Sequence, residues 1–168
     1  MTQVAQGDRE AFTALFHSLH RRIFFYLLHL MGDEEDAQEA TAETFAEVWR
    51  CASRFQGRSK ASTWIMGIAR NVAFRELRRR RADHDDLDAH HELKDSDAHR
   101  FIERLERRDL LAKGLAALSP AHREVLILAF YHDLSYQEIA ELVGIPVNTV
   151  KTRVFHAKRA LKAILGRM

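Results

Sequence analysis

The chain has 168 residues, 46% apolar and 30% charged, which is enough apolar material for one domain or two small ones and excludes global disorder. Its formal net charge of +2 hides a strong alternation. Residues 1–50 hold 4 Lys/Arg against 9 Asp/Glu, 51–81 hold 9 against 1, 82–99 hold 1 against 7, and 100–168 hold 12 against 7. A single cysteine, Cys51, excludes an internal disulfide; no apolar run is long enough to span a membrane and no export signal opens the chain, so a cytoplasmic protein is expected.

Two prolines and seven glycines in a chain with long uninterrupted runs predict an all-α protein. From Asp8 to Met31 the apolar residues Phe12, Leu15, Phe16, Leu19, Ile23, Leu27 and Leu28 recur at spacings of three and four, which predicts a core-facing helix with His20 as the place for a kink or break. Gly32 and Asp33 punctuate. A second helix then runs to about Cys51, opening on the carboxylates of residues 33–36, where the helix dipole favours negative charge. Its apolar side is Ala37, Thr41, Phe45, Val48 and Trp49; its other face, Glu39, Glu43 and Glu47, is acidic. A turn from Phe55 to Ser62 leads to a third helix from Thr63, with Trp64, Ile65, Ile68, Val72 and Leu77 as the expected buried stripe and four arginines, 78–81, at its end. Residues 82–98 are acidic and poor in large apolar side chains, and read as a solvated, flexible linker.

The second unit is expected from residue 99. Phe101, Leu105, Leu110, Leu111, Leu115 and Leu118 form one helix, and Ser119-Pro120 supplies the cap and first-turn proline of the next, which carries Val125, Leu126, Leu128 and Ala129. Ser135-Tyr-Gln-Glu138 is a capping box opening a short helix that Gly144 closes, and Asn148 or a neighbour is expected to cap the last helix. The stretch 135–162 therefore has the pattern of a helix-turn-helix, with Val150, Val154, Ala157, Leu161 and Ile164 inward. Outward lie Lys151, Thr152, Arg153, Phe155, His156, Lys158, Arg159 and Lys162. The early members of that face should reach base edges, with Phe155 suited to a thymine methyl group, and the later cations should meet phosphates.

The first basic block differs. Arg58, Lys60, Trp64, Arg70 and Asn71 mix cations with an indole and an amide near a loop–helix junction. Such a surface suits opened or single-stranded DNA, where cations hold the backbone and aromatic or amide groups meet unpaired bases. Two basic blocks separated by an acidic tether thus suggest two grips on one polyanion.

These residues stand in a familiar order. Gly7-Asp-Arg-Glu-Ala-Phe12, Asp36-Ala-Gln-Glu39, Glu43-Thr-Phe45, Val48-Trp49, Phe55-Gln-Gly57, Thr63-Trp64, Ile68-Ala-Arg-Asn71 and Leu134-Ser-Tyr-Gln-Glu-Ile-Ala140 resemble, in sequence and spacing, the extracytoplasmic-function (group 4) RNA polymerase sigma factors of the sigma-70 family. The resemblance covers nearly the whole chain. It implies two small helical domains: sigma-2 over 1–81, sigma-4 over 99–168, and the acidic linker 82–98 between them. It implies a transcription initiation factor that binds core RNA polymerase and promoter DNA, with an anti-sigma factor as its regulator, and no catalysis. Carried over by position, Asp36, Glu39 and Glu43 fall where the family docks on the clamp helices of the polymerase. Asn71, with Arg58, Trp64 and Arg70, falls where it captures a flipped −10 base, and Arg75, Arg78 and Arg79 where it holds the adjoining backbone. Lys151, Thr152, Phe155 and His156 occupy the −35 reading positions, with Arg153, Lys158 and Arg159 as phosphate contacts or supports. Two positions depart from the pattern: Ala42 stands where Gln is common in the polymerase-binding helix, and Ala129 where many members carry Arg.

The competing readings explain less. A sigma-mimicking adaptor for an anti-sigma factor would not need the cationic faces, and a stand-alone repressor leaves the first half unexplained. No phosphate-cradling glycine loop or nucleophile–base arrangement supports an enzyme. His90-His91, with His84 and His99 nearby, makes a poorly preorganised metal site on a flexible segment, so no metal or other cofactor is expected.

Overall fold

The computed structural model describes residues 1–83 and 110–167, with side chains up to Arg79 in the first stretch. The chain divides into two units, Met1–Glu92 and Leu93–Met168. All regular structure among the described residues is helical. Of the acidic stretch 82–98, only 82 and 83 are described, as the last turn of a helix; the linker reading, its histidines and the expected helix start at Phe101 lie outside the described residues.

In the first unit a short α1 (Thr2–Ala5) precedes α2 (Arg9–Met31), α3 (Glu34–Cys51), a 3₁₀ turn (Ala52–Arg54) and α4 (Ala61–Asp83). The Asp8 side chain caps α2 by accepting from the Glu10 and Ala11 N–H groups at 2.9 and 3.0 Å. Gly32, at φ 78°, closes it by donating to the Leu28 carbonyl at 2.8 Å. Between these caps α2 runs unbroken through His20, contrary to the sequence expectation of a kink or break there. Histidine is no helix breaker, and its ring stacks on Phe16, 5.0 Å between centroids and 10° from parallel. Asp33 caps α3 by accepting from the Asp36 N–H at 3.0 Å.

Helices α2, α3 and α4 pack on one another, with Ile23, Tyr26 and Leu27, Ala37, Ala40 and Val48, and Ile65, Met66, Ala69, Val72 and Ala73 buried between them. The stripe expected on α4 is partly corrected: Ile65 and Val72 are buried, whereas Trp64, Ile68 and Leu77 are half-buried at its borders. Ala37, Ala40, Ala69 and Ala73 share this core with fully buried large side chains such as Tyr26, Ile65 and Met66, small beside large as interlocking helix ridges and grooves demand. The helix also begins at Ala61, before the expected Thr63.

The second unit comprises α5 (described over 110–116), α6 (Pro120–Leu126), a π-helical turn (Ile127–Tyr131), α7 (Tyr136–Val143) and α8 (Val147–Leu165). Gly114 is buried where an added Cβ would lie 2.8 Å from Leu165 Cδ2 and 3.0 Å from Leu161 Cδ1, so α5 and α8 approach closely. Arg123 on α6 reaches back to the end of α5. Its Nε donates to the Leu115 carbonyl at 3.0 Å, and one Nη donates to the Ala116 and Leu118 carbonyls at 2.7 and 3.3 Å. The Leu115 carbonyl also accepts from the Leu118 N–H at 3.1 Å, so Arg123 reinforces the turn that ends α5 and supplies a donor to the carbonyls of Ala116 and Leu118. Burial pulls the Arg123 pKa below its ordinary value.

Helix α6 continues into a turn in which the His132 N–H donates to the Ile127 carbonyl, five residues back, at 3.1 Å. The expected capping box is present: Ser135 Oγ accepts from the Glu138 N–H at 3.2 Å, and the Glu138 carboxylate accepts from the Ser135 N–H at 2.8 Å. Gly144, at φ 74°, turns the chain between α7 and α8. Helix α8 is capped at Pro146 without a side-chain bond, so Asn148 is not the cap; it lies inside the first turn.

Candidate nucleic-acid interface

The helix-turn-helix buries Ile139 and Ala140 of α7 and Val150, Val154 and Ala157 of α8. That inward stripe fixes the opposite side of α8 as solvent-facing. Lys151, Thr152, Phe155, His156, Lys158, Arg159 and Lys162 are all exposed; Arg153 is half-buried on the flank. Phe155 is 58% exposed. The Arg159 guanidinium lies 5.8 Å from its centroid, and the His156 ring meets it edge-on at 5.5 Å. The face is therefore aromatic at its centre and cationic around it, as a surface that meets base edges and phosphates requires.

On α4, Trp64, Asn71, Arg75 and Arg78 recur at spacings of seven, four and three, which at roughly 100° per residue places them within about 60° of one another. Asn71, Arg75 and Arg78 are exposed. Trp64 is half-buried and packs on Phe55 with centroids 5.4 Å apart at 62°, so the indole is held by the preceding loop rather than enclosed by the core. Arg58 is exposed in that loop. Arg70 stands a quarter-turn away with its guanidinium 4.5 Å from the Phe74 centroid. Arg79 is exposed and paired with Glu76 at 2.8 Å.

The acidic residues of α3 separate. Asp36 is only 7% exposed, at the capped start of the helix, while Glu39 is exposed and Glu43 half-buried. All three line a notch of about 150 Å³ with Met31, Ala40, Glu76 and Arg79. The Glu43 carboxylate accepts a hydrogen bond from Arg75 in an ion pair that crosses from α3 to α4. The acidic face and the α4 cationic stripe thus adjoin. On the other side of α3 an apolar groove is lined by Phe12, Phe16, Phe45 and Trp49, and runs past Ala42 and Ala46.

Two exposed aromatics were not singled out from the sequence. Phe130 and Tyr131, in the π-helical turn, are 56% and 50% exposed, and Lys158 Nζ sits 4.4 Å from the Phe130 centroid. A strictly helical period assigns them no face, and only the run of aromatics before Asp133 hinted at them. Among the described residues no group of histidine, cysteine and carboxylate side chains is arranged to hold a metal ion. Cys51 is buried, and that burial, followed by the Glu47 charge, raises its thiol pKa.

The sequence matches two family signatures, Sigma-70 region 2 over residues 15–83 and Sigma-70 region 4 over residues 108–161. It is 30% identical to the RNA polymerase sigma-H factor of Pseudomonas aeruginosa, an alignment covering 97% of this chain and 90% of that protein. The chain belongs to the sigma-70 family as an extracytoplasmic-function sigma factor. The ECF sigma factor SigC of Mycobacterium tuberculosis is 32% identical over 95% of this chain and 85% of its own. Among solved structures, the sigma factor RpoE of Bartonella quintana, in complex with the anti-sigma factor NepR, shares the fold at a TM-score of 0.75 and 22% identity, over 94% of this chain and 98% of that one. CnrH in complex with the cytosolic domain of CnrY matches at a TM-score of 0.71 and 25% identity, over 99% and 94%. As a sigma factor the protein is a transcription initiation factor rather than an enzyme, and it works with core RNA polymerase at promoter DNA. No helix among the described residues of this sigma factor is long and apolar enough to cross a membrane.

Proposed function

We propose that the chain directs core polymerase to promoters through two DNA contacts of different kinds, residues 1–81 serving the −10 element and residues 99–168 the −35 element. The observation that carries this reading is the presence of two cationic faces on separate units: exposed Asn71, Arg75 and Arg78 beside the half-buried Trp64 on α4, and exposed Lys151, Thr152 and Phe155 on the second helix of a helix-turn-helix. Asn71 carries an amide that can hydrogen-bond an unpaired base edge, with Arg58, Trp64 and Arg70 nearby, while Arg75, Arg78 and Arg79 hold the adjoining backbone. On α8, Lys151, Thr152, Phe155 and His156 read duplex bases, and Arg153, Lys158 and Arg159 support them at the phosphates. The energy of binding extruded −10 bases offsets part of the cost of unstacking, so melting needs no covalent chemistry.

Glu39 and Glu43, with Asp36 steadying the start of α3, form the polar part of the polymerase-docking face, and the aromatic groove beside Ala42 forms its apolar part. Asp36 acts mainly from within, because its side chain is too enclosed for a broad contact. The acidic stretch 82–98 passes through polymerase channels that otherwise hold nucleic acid. The protein acts in the cytoplasm. An anti-sigma factor that covers the docking and DNA faces controls it, a reading supported by the similar sigma factor RpoE, captured with the anti-sigma factor NepR.

Run-off transcription with purified core polymerase and a promoter library tests the proposal. Promoter-specific transcripts should appear with the wild type and be lost or re-specified in Asn71→Ala and Lys151→Ala. A folded wild-type protein that fires no promoter would refute it in favour of an adaptor that only binds an anti-sigma partner.

A further inference from the structure

The first turn of α8 holds a polar side chain that the functions above do not use. Asparagine near a helix start normally serves as the cap. Here Pro146 occupies the cap position, and Asn148 falls within the helix. Its backbone carbonyl accepts a hydrogen bond from Thr152 Oγ1 at 2.9 Å, whereas its carboxamide makes no hydrogen bond among the described residues. The side chain is exposed.

Its position on the helix is specific. Asn148, Thr152, Phe155 and Arg159 follow one another at spacings of four, three and four, so they lie within about 60° around the α8 axis, and all four are exposed. Asn148 is the N-terminal member of the stripe that carries Phe155. In helix-turn-helix docking the first residues of the reading helix come closest to the base edges, which is where a short side chain can reach them. Seven residues from Phe155 is about 10 Å along the helix, whereas base pairs are stacked at about 3.4 Å, which leaves room for the two residues to meet different base pairs. A carboxamide offers one acceptor and two donors, the complement of the N6 donor and N7 acceptor on the major-groove edge of adenine.

We propose that Asn148 is a sequence-reading residue of the −35 contact, pairing through its carboxamide with an adenine at a position distinct from that met by Phe155. The inference rests on the −35 role assigned to α8 above. Its test is selection by holoenzyme, containing the full chain, from a library randomised through the −35 element. The wild type and Asn148→Ala, Asn148→Arg and Lys151→Ala are compared. Wild type should prefer adenine at one position by about 5- to 150-fold, the range of a good bidentate contact. Asn148→Ala should flatten that position alone, and Asn148→Arg should turn it toward guanine. Because the site is exposed and alanine favours helix, an unchanged thermal transition should accompany the loss. A base profile identical to wild type in Asn148→Ala overturns the inference, as does an affinity loss shared equally by all sequences, which would mark a phosphate contact. A wild-type holoenzyme that selects no −35 sequence at all would overturn the underlying role as well.

Discussion

Arg123 ties α6 to the end of α5, and removing it should destabilise the second unit more than any surface change on α8. In Arg123→Met the apolar stem is retained, but the carbonyls of Leu115, Ala116 and Leu118 lose donors now at 3.0, 2.7 and 3.3 Å. Hydrogen bonds from a charged donor are worth about 1.5–3 kcal/mol each when well buried. Here the guanidinium is half-exposed, so water recovers part of that loss, and the substitution also removes the desolvation that lowers its pKa. A net loss of about 2–3 kcal/mol remains. For a unit of this size that corresponds to a fall of roughly 10–20 °C in its melting temperature.

The assay has an internal control. Both tryptophans, Trp49 and Trp64, lie in the first unit, so tryptophan fluorescence follows that unit while far-UV circular dichroism follows both. The dichroism transition should acquire an early component while the fluorescence transition stays in place. Arg123→Lys should recover less than half the loss, because an ammonium cannot span three carbonyls with the geometry of a planar fork. A change below about 0.5 kcal/mol, within the ordinary range of surface substitutions, or full recovery by lysine, would refute the argument.

Two further outcomes follow from the same structure. Lys162 is exposed toward the end of the α8 cationic face, so Lys162→Ala should make the log–log salt dependence of −35 affinity shallower by about 0.9 without altering base preference; an unchanged slope would remove Lys162 from the phosphate contacts. The buried Cys51 thiol has a raised pKa, so the folded state keeps its proton after the unfolded state has lost it, and stability should fall as pH rises through the ordinary thiol range near about 8.5. Urea midpoints between pH 7.5 and 9.5 should therefore drop more steeply for wild type than for Cys51→Ala, and parallel curves would contradict the shift.

The parts of the fold legible in the sequence were those with local causes. Asp8, Ser119 and the Ser135–Glu138 box act within one turn of themselves, and Gly32 and Gly144 turn the backbone where their neighbours end a helix. The helix-turn-helix face was readable because Val150, Val154 and Ala157 fix which side of α8 points inward. What escaped depended on contacts distant in sequence or on size rather than polarity. The buried face of α4 includes Ala69 and Ala73 beside Ile65, Met66 and Val72, and a search for large apolar residues passes over the alanines in favour of Ile68 and Leu77. The π-helical turn changes the helical period for one turn only and exposes Phe130 and Tyr131, which no constant period predicts. The enclosure of Asp36 follows from how α3 meets its neighbours, and the choice of Pro146 over Asn148 as cap depends on where the turn after Gly144 ends.

The Glu43–Arg75 pair has a consequence for any substitution at either position. Its members lie on different helices and on faces of opposite charge, yet each is the other's counterion. Loss of the carboxylate leaves a lone cation at the margin of the acidic face, and loss of the guanidinium leaves a lone anion beside the stripe containing Asn71 and Arg78. Either step perturbs both faces at once. A charge-removing substitution at position 43 or 75 is therefore felt on both faces, and the pair is the electrostatic join between them.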